Sequence, residues 1–435
     1  MKLNYVFHAP VGYAPPLPSK VYCTPEDLAE LLIYDRQFVR QTWGEGAEPP
    51  LSEAGIKSLV NLVFYASSFP DEGRFPRFKI STGAVLQVAE FDRVHLDGPN
   101  ALRRLAPACT HPECALRVIE SPEGDLYCNG VVNLGPMGWE WTPGYPGFSA
   151  VGNLRMYELT VRDPGHIVAT ASGGGSYELR AGNIRRLYPY LALDPVKALH
   201  DDFVSRIKEE ISQKEGEEAT KLFGGVGRYT WPDGFHNIFS RILRAAIEAR
   251  HGGTFVVLPD STSPEACEIK LRYRAKVLDL GQNAINFWIA CTEYDRANTN
   301  RSLLQRCNAV RTKMLVDAKA VGNLSAVDGC VVLDRHLRVL GFGGIIQVSE
   351  SDAKTSNRPF QNAVSGEEWP YDEFMKGIGG TRHQSAARLC RVHQGVLVFV
   401  VSQDGDLKLL CSDREPPQVN GYGPLDLPAF DDSRF

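Results

Sequence analysis

The chain has 435 residues, of which 43% are hydrophobic and 23% charged, and its formal net charge is −5. A chain of this length exceeds one ordinary hydrophobic core and predicts two or three globular domains. The acidic balance argues against a nucleic-acid-coating protein. The longest apolar run, around Val396, is too short to cross a bilayer, and the N-terminal stretch lacks the apolar core of a signal peptide. We therefore expect a cytoplasmic protein whose partners include no nucleic acid and no membrane.

The N-terminal part, residues 1–193, alternates short apolar stretches with Gly/Pro turns, which predicts a β-rich α+β domain. A helix is expected over 25–39, and strands are expected over 126–135, 154–161 and 166–184. Cysteines are scattered through this part and through the rest of the chain. In a large chain without an export signal, this distribution favours reduced thiols in a cytosol.

One group of these side chains is a candidate zinc set: Cys109, His111, Cys114 and Cys128. Thiolates and imidazoles are the ligands that zinc prefers in proteins. The spacing of the four residues is irregular, however, and reduced cysteines in a β-rich domain are the simpler interpretation. We therefore expect no tightly bound zinc.

Residues 194–224 carry apolar side chains at helical spacing, among them Leu199, Phe203 and Ile207, and then become strongly charged. This pattern predicts a connecting helix and linker. From 225 to 412, helical patterns alternate with apolar strands, which predicts an α/β domain with a mixed sheet flanked by helices.

The elements expected in this domain are helices over 235–253 and 302–319, a helix beginning at 381, and strands over 328–333, 337–346, 396–402 and 407–411. Residues 413–435 read as a Pro/Gly-rich tail. The long polar segment 348–376 fits either a lid over a site or a plain surface insertion.

The stretch GIGGTRHQSAARLC, residues 377–390, places three glycines before a cationic helix start. A helix N-terminus offers unpaired N–H groups and a positive dipole end, and glycines let a ligand approach the backbone. Thr381 is a candidate cap and phosphate donor, and Arg382 and His383 add donors suited to phosphate oxygens. The alternative is an ordinary capped surface helix with a basic first turn.

A second short motif, VDGCVVLD, places Asp328 and Gly329 at the start of an apolar strand. An aspartate in this position suits a divalent cation, and the glycine admits a ligand close to the backbone. Taken alone, Asp-Gly is also one of the commonest turn dipeptides.

The segments HGGTFVVL, DGCVVLD, GTRHQSA and VVSQDG follow one another in this order between α/β elements. Together they resemble the diadenylate cyclase (DAC) domain family over residues 225–412. The N-terminal half is similar to sensor domains that precede some DAC domains. The resemblance implies that Asp328 binds a metal near the reacting hydroxyl and that Asp328, Arg382 and His383 are catalytic.

The same resemblance implies a nucleotide site whose members contact the triphosphate or let it approach the backbone; they are Gly329, Gly380, Thr381, Arg382, His383, Gln384 and Ser402. The family reaction condenses two ATP molecules into cyclic di-AMP and releases two pyrophosphates with Mg²⁺ or Mn²⁺. It takes place between two facing domains, which implies a homodimer or a higher homo-oligomer.

Two positions depart from the family pattern. Cys330 stands where a small alanine is expected, and Gln384 stands where a second arginine is expected. Loss of the arginine removes a positive charge beside the triphosphate. Two alternatives therefore stay open: a nucleotide-binding sensor with impaired catalysis, and a cyclase that makes a different nucleotide messenger.

Overall fold

A computed structural model of the protein describes residues 22–43, 51–70, 75–82, 87–109, 114–133, 157–171, 176–189, 193–215, 232–249, 251–276, 278–296, 301–362, 368–403, 405–412 and 418–426. Contacts divide these residues into a first unit up to Tyr188 and a second unit from Pro189 to residue 426. None of the described helices is both long enough and apolar enough to cross a membrane.

The described part of the first unit has three α-helices: α1 Pro25–Trp43, α2 Glu53–Ser68 and α3 Pro99–Leu105. Its strands are β1 Phe78–Ser81, β2 Gln87–His95, β3 Cys114–Glu120, β4 Leu126–Asn133, β5 Tyr157–Asp163, β6 His166–Ala171, β7 Ser176–Arg180 and β8 Asn183–Pro189. Register places them in one mixed sheet in the order β2-β4-β3-β1-β5-β6-β7-β8, in which only β1 and β3 are a parallel pair.

Alternation along the strands builds the core of the first unit. Tyr157, Leu159 and Val161 are buried at every second position of β5 and pack into one cluster with buried leucines of α1 and α2. A strand whose apolar residues recur with a period of two presents one face to a core. The expected β-rich character of the N-terminal region is therefore confirmed.

The described part of the second unit has the helices α4 Asp194–Glu215, α5 Pro232–Ala249, α6 Leu280–Arg296, α7 Arg301–Asn323, α8 Glu350–Thr355, α9 Tyr371–Gly377 and α10 Thr381–Val392. Its strands are β9 Gly253–Leu258, β10 Ile269–Lys270, β11 Tyr273–Arg274, β12 Cys330–Asp334, β13 Val339–Ile346, β14 Phe360–Asn362, β15 Glu368–Trp369, β16 Leu397–Val401, β17 Leu407–Ser412 and β18 Val419–Asp426.

The main sheet of this unit runs in the order β11-β13-β12-β9-β16-β17-β18-β14-β15, with parallel pairs at β12–β9 and β14–β18. Helices cover both faces. On one side Phe239 of α5 packs edge-on against Phe399 of β16, with ring centroids 4.8 Å apart. On the other, Ala386 and Leu389 of α10 share a core cluster with Val398. The molecule is thus a mixed α/β protein with two mixed sheets and flanking helices.

Three segments differ from the expected organisation. The expected connecting helix is present as α4 and belongs to the second unit, where Phe203 lies 5.3 Å from Phe235 between ring centroids. Residues 418–426, expected to belong to a tail, contribute β18. The polar segment 348–376 forms α8, β14, β15 and α9, and β14 extends the sheet by pairing with β18.

Candidate functional site

The three central strands of the second unit bring the sequence motifs to one edge of the sheet. Val331 of β12 is paired with Phe255 of β9, and Gly253 of β9 is paired with Val401 of β16. Continuing this register to the strand ends brings Asp328 and Ser402 to the same edge, on either side of the start of β9. They are two strands apart, which corresponds to about 10 Å between backbones.

Arg382 reaches this edge from helix α10. Its Nη1 atom lies 2.9 Å from the position that a Cβ on Gly252 would take, and the carbonyl oxygen of Val401 lies at the same distance from that position. Gly252 has φ +66, in the left-handed region that favours glycine. From the sequence this glycine marks only the end of a helix. The structure shows that its missing side chain makes room for the guanidinium.

Gly329 holds the backbone of the Asp328 motif in a conformation that only glycine adopts readily. Its φ is +116, and an added Cβ would lie 2.6 Å from the carbonyl oxygen of Gly344 on the neighbouring strand. Asp328 itself is exposed and makes no hydrogen bond or ion pair with the described residues. Its carboxylate is therefore available to a ligand.

No group of three or more His, Cys, Asp or Glu side chains within the described ranges is placed to hold a metal ion. A cation bound at Asp328 therefore requires oxygen ligands from elsewhere. Mg²⁺ commonly binds in this way, through one or two carboxylates together with substrate phosphates and water. The donor set fits a cation that arrives with a nucleotide.

The start of α10 is open to an anion. Gly379 has φ +129, and Gly380 is the residue that caps the helix, with no side-chain cap. This corrects the expectation that Thr381 is the cap; Thr381 is instead the exposed first helical residue. A Cβ added to Gly380 would meet nothing within 4 Å.

Backbone donors at this helix start are left without partners in the described chain. The first backbone N–H with a helical partner is that of Gln384, which donates to the carbonyl of Gly380. The N–H groups of Thr381, Arg382 and His383 make no hydrogen bond with the described residues. Unpaired N–H groups beside open space are the physical requirement for phosphate binding at a helix start.

His383 is buried, with 7% of its surface exposed, and its Nε2 atom has no hydrogen-bond partner among the described residues. The Nδ1 atom lies 3.0 Å from the position that a Cβ on Gly379 would take. Burial lowers the pKa of His383 to about 4, and the nearby cations Lys408 and Arg382 add to this effect. The imidazole is therefore neutral near pH 7 and supplies no positive charge to a phosphate.

Gln384 is held away from the open side of the helix start. Its Nε2 atom donates a hydrogen bond to the carbonyl of Met375 in α9 at 3.2 Å. Ser402 turns the β16–β17 hairpin: its hydroxyl accepts from the backbone N–H of Asp406 at 3.0 Å. The Ser402 hydroxyl proton can still be donated to a ligand at the sheet edge.

Two further features of this region have no motif in the sequence. Lys408 of β17 donates from Nζ to the carbonyl of Ile378 at 2.9 Å, directly before the glycine turn. Tyr273, 46% exposed, stacks on Phe342 with ring centroids 5.0 Å apart, beside the Gly343–Gly344 backbone that packs on Gly329. Strand pairing brings each of them to the site, and neither is marked by neighbours in sequence.

No metal-binding group of three His, Cys, Asp or Glu side chains is found around the candidate zinc residues that the structure describes, Cys109, Cys114 and Cys128. Cys128 of β4 pairs with Val118 of β3, four residues along the strand from Cys114. Burial raises the pKa of Cys109 to about 12, so this thiol stays protonated. Cys114 and Cys128 both lie near Cys109, because each also contributes to the raised pKa of the Cys109 thiol. His111 lies outside the described residues.

Comparison with known proteins bears on the first unit. Residues 46–133 match the family model described as "Probable sensor domain DACNV". The matched stretch contains α2, α3 and β1 to β4, and it agrees with the resemblance of the N-terminal half to sensor domains that precede DAC domains. No curated protein and no solved structure matches the chain.

Proposed function

We propose that the second unit is a diadenylate cyclase domain that condenses two ATP molecules into cyclic di-AMP and two pyrophosphates, regulated by the sensor-type first unit. One observation carries the proposal: Asp328, Gly329 and Arg382 meet at a single sheet edge beside an open helix start. The match of residues 46–133 to a sensor family supports the regulatory half of the proposal.

The reaction forms a bond from a ribose 3′-oxygen to an α-phosphorus and breaks the bond from that phosphorus to the bridging oxygen, which leaves with pyrophosphate. The N–H groups at the start of α10 and the guanidinium of Arg382 would orient the phosphates and stabilise their charge. Asp328 would hold the divalent cation, which neutralises phosphate charge and makes the attacking hydroxyl more acidic. Gly329 and Gly380 would let the nucleotide approach the backbone.

The described part of each chain offers one such sheet edge, whereas cyclic di-AMP contains two nucleotides. The proposed reaction therefore joins ATP molecules held by two copies of the second unit, which requires at least a homodimer. A strictly monomeric yet fully active enzyme would be incompatible with this arrangement.

A second candidate function is a nucleotide-binding sensor that does not turn ATP over. The hydrogen bond from Gln384 to the carbonyl of Met375 favours it, because this side chain brings no charge to the phosphates and one of its two N–H donors is already bonded. The two candidates share the nucleotide site and differ only in the chemical step.

The test is incubation of the full chain with ATP and Mn²⁺, with products identified by mass spectrometry. We expect cyclic di-AMP from the wild type and none from Asp328→Asn, which keeps the shape of the side chain and loses its charge. Asp260→Asn is the matched control, because Asp260 is an exposed aspartate beyond the opposite end of β9. ATP binding without product would establish the second candidate, and full turnover by Asp328→Asn would exclude the role given to Asp328.

A further inference from the structure

Lys408 lies on the face of the sheet that α10 covers. It is paired with Val400 in the β16–β17 ladder, and Val400 belongs to the core cluster that includes Ala386 and Leu389 of α10. The lysine stem passes close to Gly423 of β18, where an added Cβ would lie 2.8 Å from Cγ of Lys408. The neighbouring strand thus leaves a path for the stem toward the helix start.

The head of Lys408 arrives beside the glycine turn. Its Nζ atom donates to the carbonyl oxygen of Ile378, which directly precedes Gly379 and Gly380. An ammonium group carries a full positive charge, and it can exchange a hydrogen-bond partner for a phosphate oxygen when a ligand binds. The contact therefore brings a positive charge next to the glycine turn that precedes the helix.

Two of the other side chains at this helix start carry no positive charge near pH 7. His383 is neutral near pH 7, and its buried Nε2 atom has no partner within the described chain. Gln384 is uncharged and bonded to Met375. Among residues 381–384 only Arg382 carries a full positive charge, and the carboxylate of Asp406 also acts on His383.

We propose that Lys408 is a phosphate-binding residue of the nucleotide site, which supplies from β17 a second positive charge beside Arg382. The inference rests on the proposed function, since it names a further residue of that same site. It also accounts for a glutamine at position 384, because the charge absent from the helix is supplied by the sheet.

The experiment measures the affinities of the full chain for adenosine, AMP, ADP and ATP by calorimetry. Lys408→Gln removes the charge and keeps a donor for the Ile378 carbonyl, and Lys408→Met removes both. We expect both variants to weaken ATP binding about tenfold to a hundredfold, to weaken AMP binding less, and to leave adenosine binding unchanged. Lys408→Arg restores most of the ATP affinity.

Lys313→Met is the control for loss of a lysine charge, since Lys313 is an exposed residue of α7 paired with Asp317. We expect wild-type ATP affinity for this variant, and thermal unfolding shows that each variant is folded. Equal weakening of all four ligands, or wild-type ATP affinity in Lys408→Gln, would overturn the role of Lys408 alone. A wild type that binds no ATP would overturn the proposed function and this inference with it.

Discussion

Two buried histidines, one in each unit, have opposite surroundings. In the first unit, Nε2 of His166 lies 2.6 Å from Oε1 of Glu178, and the other oxygen of Glu178 is bonded to Arg185. In the second unit, Nε2 of His383 has no partner within the described residues. Buried polar groups in folded proteins are nearly always paired. The network around Glu178 is closed and stabilises the fold. The start of α10 has a buried atom that the described residues leave unpaired, as expected of a ligand-binding region.

We expect the largest loss of stability from a substitution in the closed network around Glu178. Glu178 is 1% exposed, so Glu178→Gln removes a buried negative charge that His166 and Arg185 both contact. We expect the free energy of unfolding of the first unit to fall by about 3 kcal/mol, with ATP affinity unchanged. Urea unfolding measures the first effect and calorimetry the second.

The same network predicts a pH dependence. Burial alone would raise the pKa of Glu178, but the hydrogen bonds from His166 and Arg185 outweigh it and lower the pKa to about 2. The resulting stability is present above the unfolded-state pKa of a glutamate and is lost as the pH falls from about 5 toward 2. Glu158→Gln, in a longer ion pair with Lys79 at 3.9 Å, is the control. An identical acid unfolding curve for wild type and Glu178→Gln would contradict the assignment.

Gly329→Ala tests whether the backbone of the Asp328 motif is held in one conformation. The substitution forces a side chain into a conformation that favours glycine and against the carbonyl oxygen of Gly344. We expect the free energy of unfolding of the second unit to fall by about 2 kcal/mol. Urea unfolding of Gly380→Ala, where an added Cβ in the same unit meets nothing within 4 Å, serves as the comparison. Equal stability of the two variants would show that the Asp328 motif is not held as described.

Gly380→Ala tests whether the open region receives phosphates. The new methyl group meets no protein atom within 4 Å, so its cost to stability should be that of a less favourable cap, below about 1 kcal/mol. In the phosphate position, however, the methyl group would collide with the ligand, and we expect ATP affinity to fall about tenfold. Gly98→Ala is the matched control, because Gly98 caps α3 without a side-chain bond and is equally open. Unchanged ATP affinity in Gly380→Ala would show that α10 is an ordinary capped helix whose start does not bind phosphate.

Gln384→Arg should have the smallest effect. A charge-assisted contact to phosphate is worth about 1.5–3 kcal/mol, but the variant also loses the neutral hydrogen bond to Met375, worth about 1 kcal/mol. We expect kcat/KM for ATP to rise severalfold in steady-state kinetics. Gln384→Ala loses the bond and gains no charge, so it should not show this rise; an equal rise in both variants would assign the effect to α9 rather than to charge.

The sequence predicts those elements whose pattern is local. Helix α5 and strand β16 follow from apolar spacing over their own length, and the helix start at Thr381 follows from its glycines. Strand β18 escapes prediction because its glycines and proline resemble a tail, and its pairing partner Phe360 is remote in sequence. Two-residue strands such as β11 exist only because β13 lies beside them.

The same distinction applies to the site. Asp328 and Arg382 belong to short sequence motifs from which their roles can be predicted. The roles of Gly252 and Lys408 depend on which strands lie side by side, since Gly252 makes room for Arg382 and Lys408 reaches Ile378 across the sheet. Periodicity within one element does not specify neighbours in a sheet, so such residues become visible only in three dimensions.

The position of β18 has a consequence for the order in which the protein is made. β18 lies between β17 and β14, so the ribosome must release residue 426 before those two strands acquire their shared neighbour. Until then each of them presents an unpaired edge, and such edges recruit strands from other chains. Nascent chains are therefore exposed to mispairing until β18 has been made, and a chaperone that shields strand edges would raise the yield of folded protein.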